Sequence, residues 1–472
     1  MTNDAHLFRN RRQLEDGGWQ LHGNCFKKNG AETWFPIFEG KMTSIFDHRK
    51  ASIILNQNNA LRQQQPDDSS LEEHKDASFV PQPFLWCPES EARNRTPNWW
   101  SYQWLPVFKR VTASTNERTM LPCIVPWSSI SYTLYTIFVE DVTPKKVANL
   151  ITCFSSHIFD YILRGKTSQS SLPMGIVYET AVVSPEYAGN ICIEILYYIL
   201  ELTYTAWDLE PFAKDCEYNG PPFRWDEERR FIMRCELDAA FFHLYLGTQE
   251  EWQNEGTCEL LESFTMPRDA VGYIMETFST VRRRDEETHG YYQTKETILQ
   301  IYDEMAVSIR TGNPYQTILD PPPGPPTRPD GTFMSYQEFA HDPPPHIHPP
   351  RDGHAITDAL QLSDLADTFP NRPFTVGLGV STEAGQLRVV PKAGQQLQAG
   401  DSVLIAHPQL ERRGTSTPVA WGELRFSDYR DATSGELYRS VSIRGEDGVA
   451  QLRISEQEWN QLTTVGSVEE VN

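Results

Sequence analysis

Between Asp320 and Pro350 the chain passes through Asp320-Pro321-Pro322-Pro323-Gly324-Pro325-Pro326 and on to Pro349-Pro350. Proline lacks a backbone N–H and has a fixed φ, so neither a helix interior nor a central strand runs through such a stretch. The chain is thereby divided, and each side must bury its own core. Residues 319–371 read as a semi-extended linker. His341, His346, His348 and His354 fall in it. With no cysteine and no fixed scaffold beside them, they read as incidental linker histidines rather than as a metal site.

The two sides differ in pattern. After the linker, residues 372–472 carry short alternating runs such as Leu387-Arg388-Val389-Val390, Ser402-Val403-Leu404-Ile405 and Val441-Ser442-Ile443, separated by Gly, Pro and Asp. That pattern predicts a small antiparallel β barrel or sandwich, with nothing in it that points to chemistry, so it reads as a docking module. Before the linker, residues 191–318 carry helical periodicity. A second helix there has Asp226 as N-cap, acids in its first turn and Gly247 after its last. Glu236 and Asp238 lie on it, two residues apart, a spacing that turns them away from each other. Residues 145–164 predict a further helix, with Val147, Leu150, Ile151, Phe154, Ile158, Tyr161 and Ile162 on one stripe. The whole reads as an α+β protein.

The net charge of −22 is uneven. Residues 1–200 hold 19 Lys+Arg against 20 Asp+Glu, and residues 201–472 hold 23 against 44. A nucleic-acid surface is therefore expected in the first part. No apolar run approaches 18 residues, the start Met-Thr-Asn-Asp-Ala-His-Leu-Phe has no signal-peptide core, and eight scattered cysteines form no CxxC pair. These features predict a cytoplasmic protein with no membrane span and reduced, mostly buried thiols.

Within residues 34–190 two stretches carry polar chemistry. Trp34 to Phe38 reads as a buried strand that breaks at Glu39-Gly40-Lys41, where a glycine free to take positive φ is useful. Lys41, His48 and Arg49 cluster beside it, as around a phosphate, or as solvated charges on a strand end. Lys109 and Arg110 open a polar loop through Thr115, Asn116 and Arg118, suited to phosphate and base-edge hydrogen bonds or to an ordinary Ser/Thr/Asn turn. An apolar strand follows, Met120 to Pro126. Trp86, Trp99, Trp100, Tyr102, Trp104 and Phe108 read as core or domain seam, with base stacking as the alternative. Residues 56–80 read as a polar surface loop, and Arg282-Arg283-Arg284 before three acids as a salt-bridged helix face or a phosphate patch.

Phe38-Glu39-Gly40-Lys41-Met42 followed by Phe46-Asp47-His48-Arg49 resembles the segment joining the catalytic to the target-recognition half of large adenine-specific DNA methyltransferases, the fused type IIG and BREX-type phage-defence enzymes. The resemblance covers roughly residues 5–320 and continues in Thr115-Asn116-Glu117-Arg118-Thr119 and in Leu202–Asp238. It departs at Phe154-Ser155-Ser156, where the family carries an Asn-Ser pair, and at Thr167-Ser168-Gln169-Ser170. It implies an N-terminal lead-in (1–33), a mixed α/β target-recognition-like DNA-binding domain (34–190) and a helical scaffold segment (191–318). It also implies DNA contacts from Lys41, Arg49, Lys109, Arg110, Thr115, Asn116, Arg118, Arg164 and Lys166.

The methyl-transfer motifs are missing. A Gly-rich S-adenosylmethionine loop needs a strand before it and a helix after it, and Gly377-Leu378-Gly379 is followed by no helix. Gly312-Asn313-Pro314-Tyr315 lacks a second proline, while Asp320-Pro321-Pro322-Pro323 and Asp342-Pro343-Pro344-Pro345 lack the aromatic that stacks on an extruded base. No catalytic or metal-ligating residues are therefore expected. The chain reads as a sequence-recognition subunit or fragment that binds double-stranded DNA beside a separate methyltransferase catalytic subunit holding S-adenosylmethionine. The alternatives are a non-catalytic protein–protein scaffold of the same defence system, or a truncated reading frame.

Overall fold

The structure, a computed structural model, describes residues 4–350 apart from 29–30, 56–63, 114, 141–142, 168, 189–190 and 341; beyond 350 it describes strands between Thr375 and Val471. Residues 56–63, His341, His354 and Gly377-Leu378-Gly379 therefore lie outside the described residues. The protein is of the α+β class, in two compact units: residues 1–334 with 344–348, and 335–343 with 349–472. Among the described residues no helix is long and apolar enough to cross a membrane.

In the first unit, strand Trp34–Phe38 is central to a small sheet. It pairs antiparallel with Cys25–Lys27 and Trp86–Pro88 and parallel with Ser129–Ile130. Phe26, Phe38 and Trp86 fill the core beneath it. A second sheet places Trp104–Lys109 between Pro122–Pro126 and Leu134–Thr136. Of the aromatic stretch, Trp86, Trp100, Trp104 and Phe108 are buried and Trp99 is exposed, so the run is mainly core.

The turn after Phe38 differs from the expectation. Gly40 begins a 3₁₀ turn, Gly40–Met42, and its role is close approach rather than positive φ. A Cβ there would lie 3.1 Å from the Thr133 carbonyl oxygen, and the Gly40 N–H donates to Thr133 Oγ1 at 2.8 Å. Left-handed backbone falls instead on Phe46, with φ 54°.

The predicted helix 145–164 is two helices, Pro144–Ser155 and His157–Arg164, broken at Ser156, which is extended (φ −73°, ψ 149°). No glycine or proline marks the break. Ser155 and Ser156 hydroxyls turn back onto the carbonyls of Ile151 and Cys153, a competition with helix geometry that serine offers. Ser156 then caps the second helix through Phe159 N–H. Helix Glu227–Leu246 begins and ends as its caps predict: Asp226 accepts from Arg229 N–H at 2.9 Å, and Gly247 has φ 73°. It packs against helix Gln293–Thr311, where the His243 ring stacks 3.8 Å from Tyr302.

Much of the proline-rich stretch is no free linker. Residues 320–334 and 344–348 pack on the helical body. Arg229 donates to the Pro321 carbonyl at 2.9 Å, Gly324 N–H to Glu201 at 2.9 Å, and Arg224 Nε to the Ile347 carbonyl at 3.1 Å. His346 stacks on Phe223 and reaches the Gly324 carbonyl through Nε2 at 2.9 Å. Proline removes a donor but leaves its carbonyl free to accept, so such a run can still dock. Gly324 has φ 85°, and a Cβ there would lie 2.5 Å from Tyr197 Cβ. Gly324→Ala is expected to destabilise the first unit by about 1–3 kcal/mol from backbone strain alone. A urea titration reading tryptophan fluorescence checks this, and an unchanged midpoint would show a free linker.

In the second unit, strands Val419–Arg430, Leu437–Gly445 and Gly448–Ser455 form successive antiparallel hairpins. Among the described residues of these strands, Ala420, Leu424, Val441, Ile443, Ala450 and Leu452 are buried.

Candidate functional site

Segments far apart in sequence, near 44–50, 117–121, 152–157, 231–238 and 281–294, line one cleft of about 590 Å³. One wall is the loop after Arg110, anchored by Asp160. That carboxylate is fully buried and accepts from Arg118 Nε at 2.8 Å, Thr119 N–H at 2.9 Å and Met120 N–H at 3.2 Å. Arg164, one helical turn on, donates to the carbonyls of Asn116 (2.9 Å) and Glu117 (2.7 Å) and to Thr119 Oγ1 (3.1 Å). Both guanidinium groups lie over the Phe278 ring. The base of the loop is thus fixed and its tip, Thr115 and Asn116, is exposed.

Where the helix breaks, the N–H of His157 donates to Asp238 Oδ1 at 2.7 Å and its Nδ1 lies 2.8 Å from Asp238 Oδ2. Burial, and then the nearby Arg118, hold the imidazole below its ordinary pKa, so it is neutral. Burial works to raise the Asp238 carboxyl, but the contact with His157 outweighs it and the net shift is downward. An ionised carboxylate accepts, which places the ring proton on Nδ1 and a lone pair on Nε2. Across the mouth, Arg284 reaches Glu117 at 2.8 Å.

The predicted DNA contacts separate into groups. Arg110, Thr115 and Asn116 are exposed, and Arg110 lies over the Tyr135 ring. Lys109 is half-buried, and burial lowers its ammonium pKa. Lys41 reaches Glu39 (3.3 Å) and the Gln64 carbonyl (3.1 Å), while Lys166 donates to the Glu179 carbonyl. Two assignments are corrected by burial. Arg49 is fully buried, with its guanidinium on the carbonyls of His74 and Asp76 (both 2.7 Å) and on Thr205 (3.1 Å). Arg118, with Arg164 beside it, is occupied in holding the loop. Neither Arg49 nor Arg118 presents a free face to a phosphate. His48, also buried, pairs with Asp208 at 2.9 Å, so the Asp-His-Arg triplet is a structural lock.

His157, Asp160 and Asp238 were not expected at a site. Asp160 and Arg164 stand four apart on one helix, a spacing that could have signalled the pair. Asp238 does turn away from Glu236, which instead receives the Tyr315 hydroxyl at 2.8 Å. Nothing local marks its partner 81 residues earlier. Of the three arginines, Arg282 pairs with Glu286 and Glu276, Arg283 approaches Glu287 at 4.0 Å, and Arg284 holds Glu117, so this face is salt-bridged. Comparison of the chain with family models, with curated proteins and with solved structures returns no match.

Proposed function

We propose that the first unit is a DNA sequence-recognition module that works beside a separate adenine-specific methyltransferase domain, which would hold S-adenosylmethionine. The observation that carries this reading is convergence. Phe46, Glu117 with Arg118, and Phe231 with Asp238 come from three separate stretches that resemble such enzymes, and these residues line one cleft. Scattered surface matches would have no reason to meet. In this reading Lys109 and Arg110 meet phosphates, and Thr115 with Asn116 reads base edges from a loop whose base is already ordered.

A gel-shift titration of the whole chain with duplex DNA tests it. Log K is expected to fall against log salt with a slope of about −3 to −5, for a few phosphates at roughly 0.9 each. Arg110→Ala is expected to reduce that slope by about 1. Asn116→Ala is expected to cost about 1–3 kcal/mol of discrimination at one base pair and to leave the slope unchanged. No binding at low salt would favour the second reading, a protein–protein scaffold. The pairing of Arg282, Arg283 and Arg284 with glutamates, and the acidic balance after residue 200, speak for that reading.

A further inference from the structure

The cleft has a floor and a rim of different chemistry. On the floor, His157 is buried, and its Nε2 has no hydrogen-bond partner among the described residues. With the ring proton held on Nδ1 by Asp238, this nitrogen is an acceptor that asks for a donor. A buried acceptor left alone costs about 1–3 kcal/mol. The donor it suits is uncharged, because the Arg118 guanidinium nearby repels a cation and Asp238 is already engaged.

Phe231, Leu121, Leu237 and Val281 give the same cleft apolar surface, suited to a flat body. The rim carries both signs of charge, Lys50, Arg234 and Arg284 beside Glu117 and Asp285. Arg234 is exposed, donates from Nε to the Arg230 carbonyl, and has no carboxylate partner among the described residues. Lys50 is shared with Asp68. Arg284 is held by Glu117 in an exposed pair, which is weak enough for an anion to part. The volume lies in the range of small-molecule sites.

We propose that this cleft takes one nucleotide unit, its base donating an N–H to His157 Nε2 and its phosphate meeting Arg234. The inference rests on the DNA-binding reading in taking that unit from a duplex. A free nucleotide has the same chemistry, so the two sources are tested separately.

The experiment uses the full chain with three probes: 2-aminopurine deoxynucleoside monophosphate, deoxyribose 5-phosphate without a base, and a duplex carrying 2-aminopurine. Wild type is expected to quench the free probe and to bind it at least tenfold more tightly than the sugar phosphate. Arg234→Ala, at an exposed position, is expected to weaken both by about tenfold. His157→Phe is expected to remove the preference for the base while the sugar phosphate still binds. Should His157→Phe fail to fold, Arg234→Ala and the base-free probe decide.

Equal binding of both small probes, or of neither, overturns the nucleotide site. If the duplex still binds with no change in its 2-aminopurine signal and the free probe shows no base preference, DNA recognition stands and the site is lost. If the free probe binds with base preference and no duplex binds, the site stands and the DNA reading falls.

Discussion

Arg49→Ala is expected to destabilise the first unit by about 3–5 kcal/mol, the cost of leaving several buried carbonyls without their common donor at about 1–3 kcal/mol each. The side chain is fully buried, and its guanidinium holds the segment from Glu73 to Phe79 against Thr205. Its removal leaves the carbonyls of His74 and Asp76 without the donor they share, in a place water does not reach freely. Arg49→Lys is expected to recover little, since one ammonium cannot reproduce a planar fork that bonds in several directions. Chemical denaturation followed by tryptophan fluorescence reads the loss. Were Arg49 a DNA contact, the same variant would keep its midpoint and lose only affinity.

Acid is expected to weaken the first unit by an amount on the order of 4 kcal/mol between pH 7 and 5. Burial holds His157, His243 and His346 below the ordinary imidazole pKa of 6.5, and holds His348 down at about 4. As pH falls through 6.5 the unfolded chain takes up protons that the native fold refuses, so stability drops. Each such imidazole contributes at most roughly 1.4 kcal/mol per pH unit. For His348 the window runs from 6.5 down to about 4. Asp47 and Asp238, whose net shifts are downward, weaken the fold only below 3.8 and leave this window untouched. Glu236, raised by burial, works in the opposite direction and offsets part of the loss. Urea midpoints at pH 7, 6 and 5 measure the trend. His348→Leu is expected to flatten it at little cost near neutrality, because that ring's Nε2 has no partner to lose. Stability that rose on acidification would mean that these imidazoles are charged in the native fold.

What could be read from the sequence was local. Helix Glu227–Leu246 was legible because its N-cap, first-turn acids and closing glycine sit within its own span. The strands of the second unit were legible because period-two alternation needs no knowledge of distant partners. What failed depended on contacts across the chain. Asp-His-Arg looks alike whether the arginine meets a phosphate or the carbonyl of Thr205, 156 residues away. The break at Ser156 is fixed partly by Asp238 bonding the N–H of His157, and the local sign, a serine able to cap a helix, does not by itself interrupt an apolar stripe. Of the candidate site, the loop through Thr115 and Asn116 was visible in its composition. The buried pair behind it was not, because an aspartate inside an amphipathic helix looks like any other polar position until its partner is known.

The docked proline-rich segment changes how this protein should be cut into pieces. A fragment ended at 318, where helical periodicity stops, would strip Glu201 of the Gly324 N–H and Phe223 of the His346 ring. It would also open the apolar surface around Tyr197 and Tyr218 on which Phe333 lies. Such a fragment is prone to stick to itself for reasons unrelated to its biology. Extending the fragment past His348 keeps those surfaces covered.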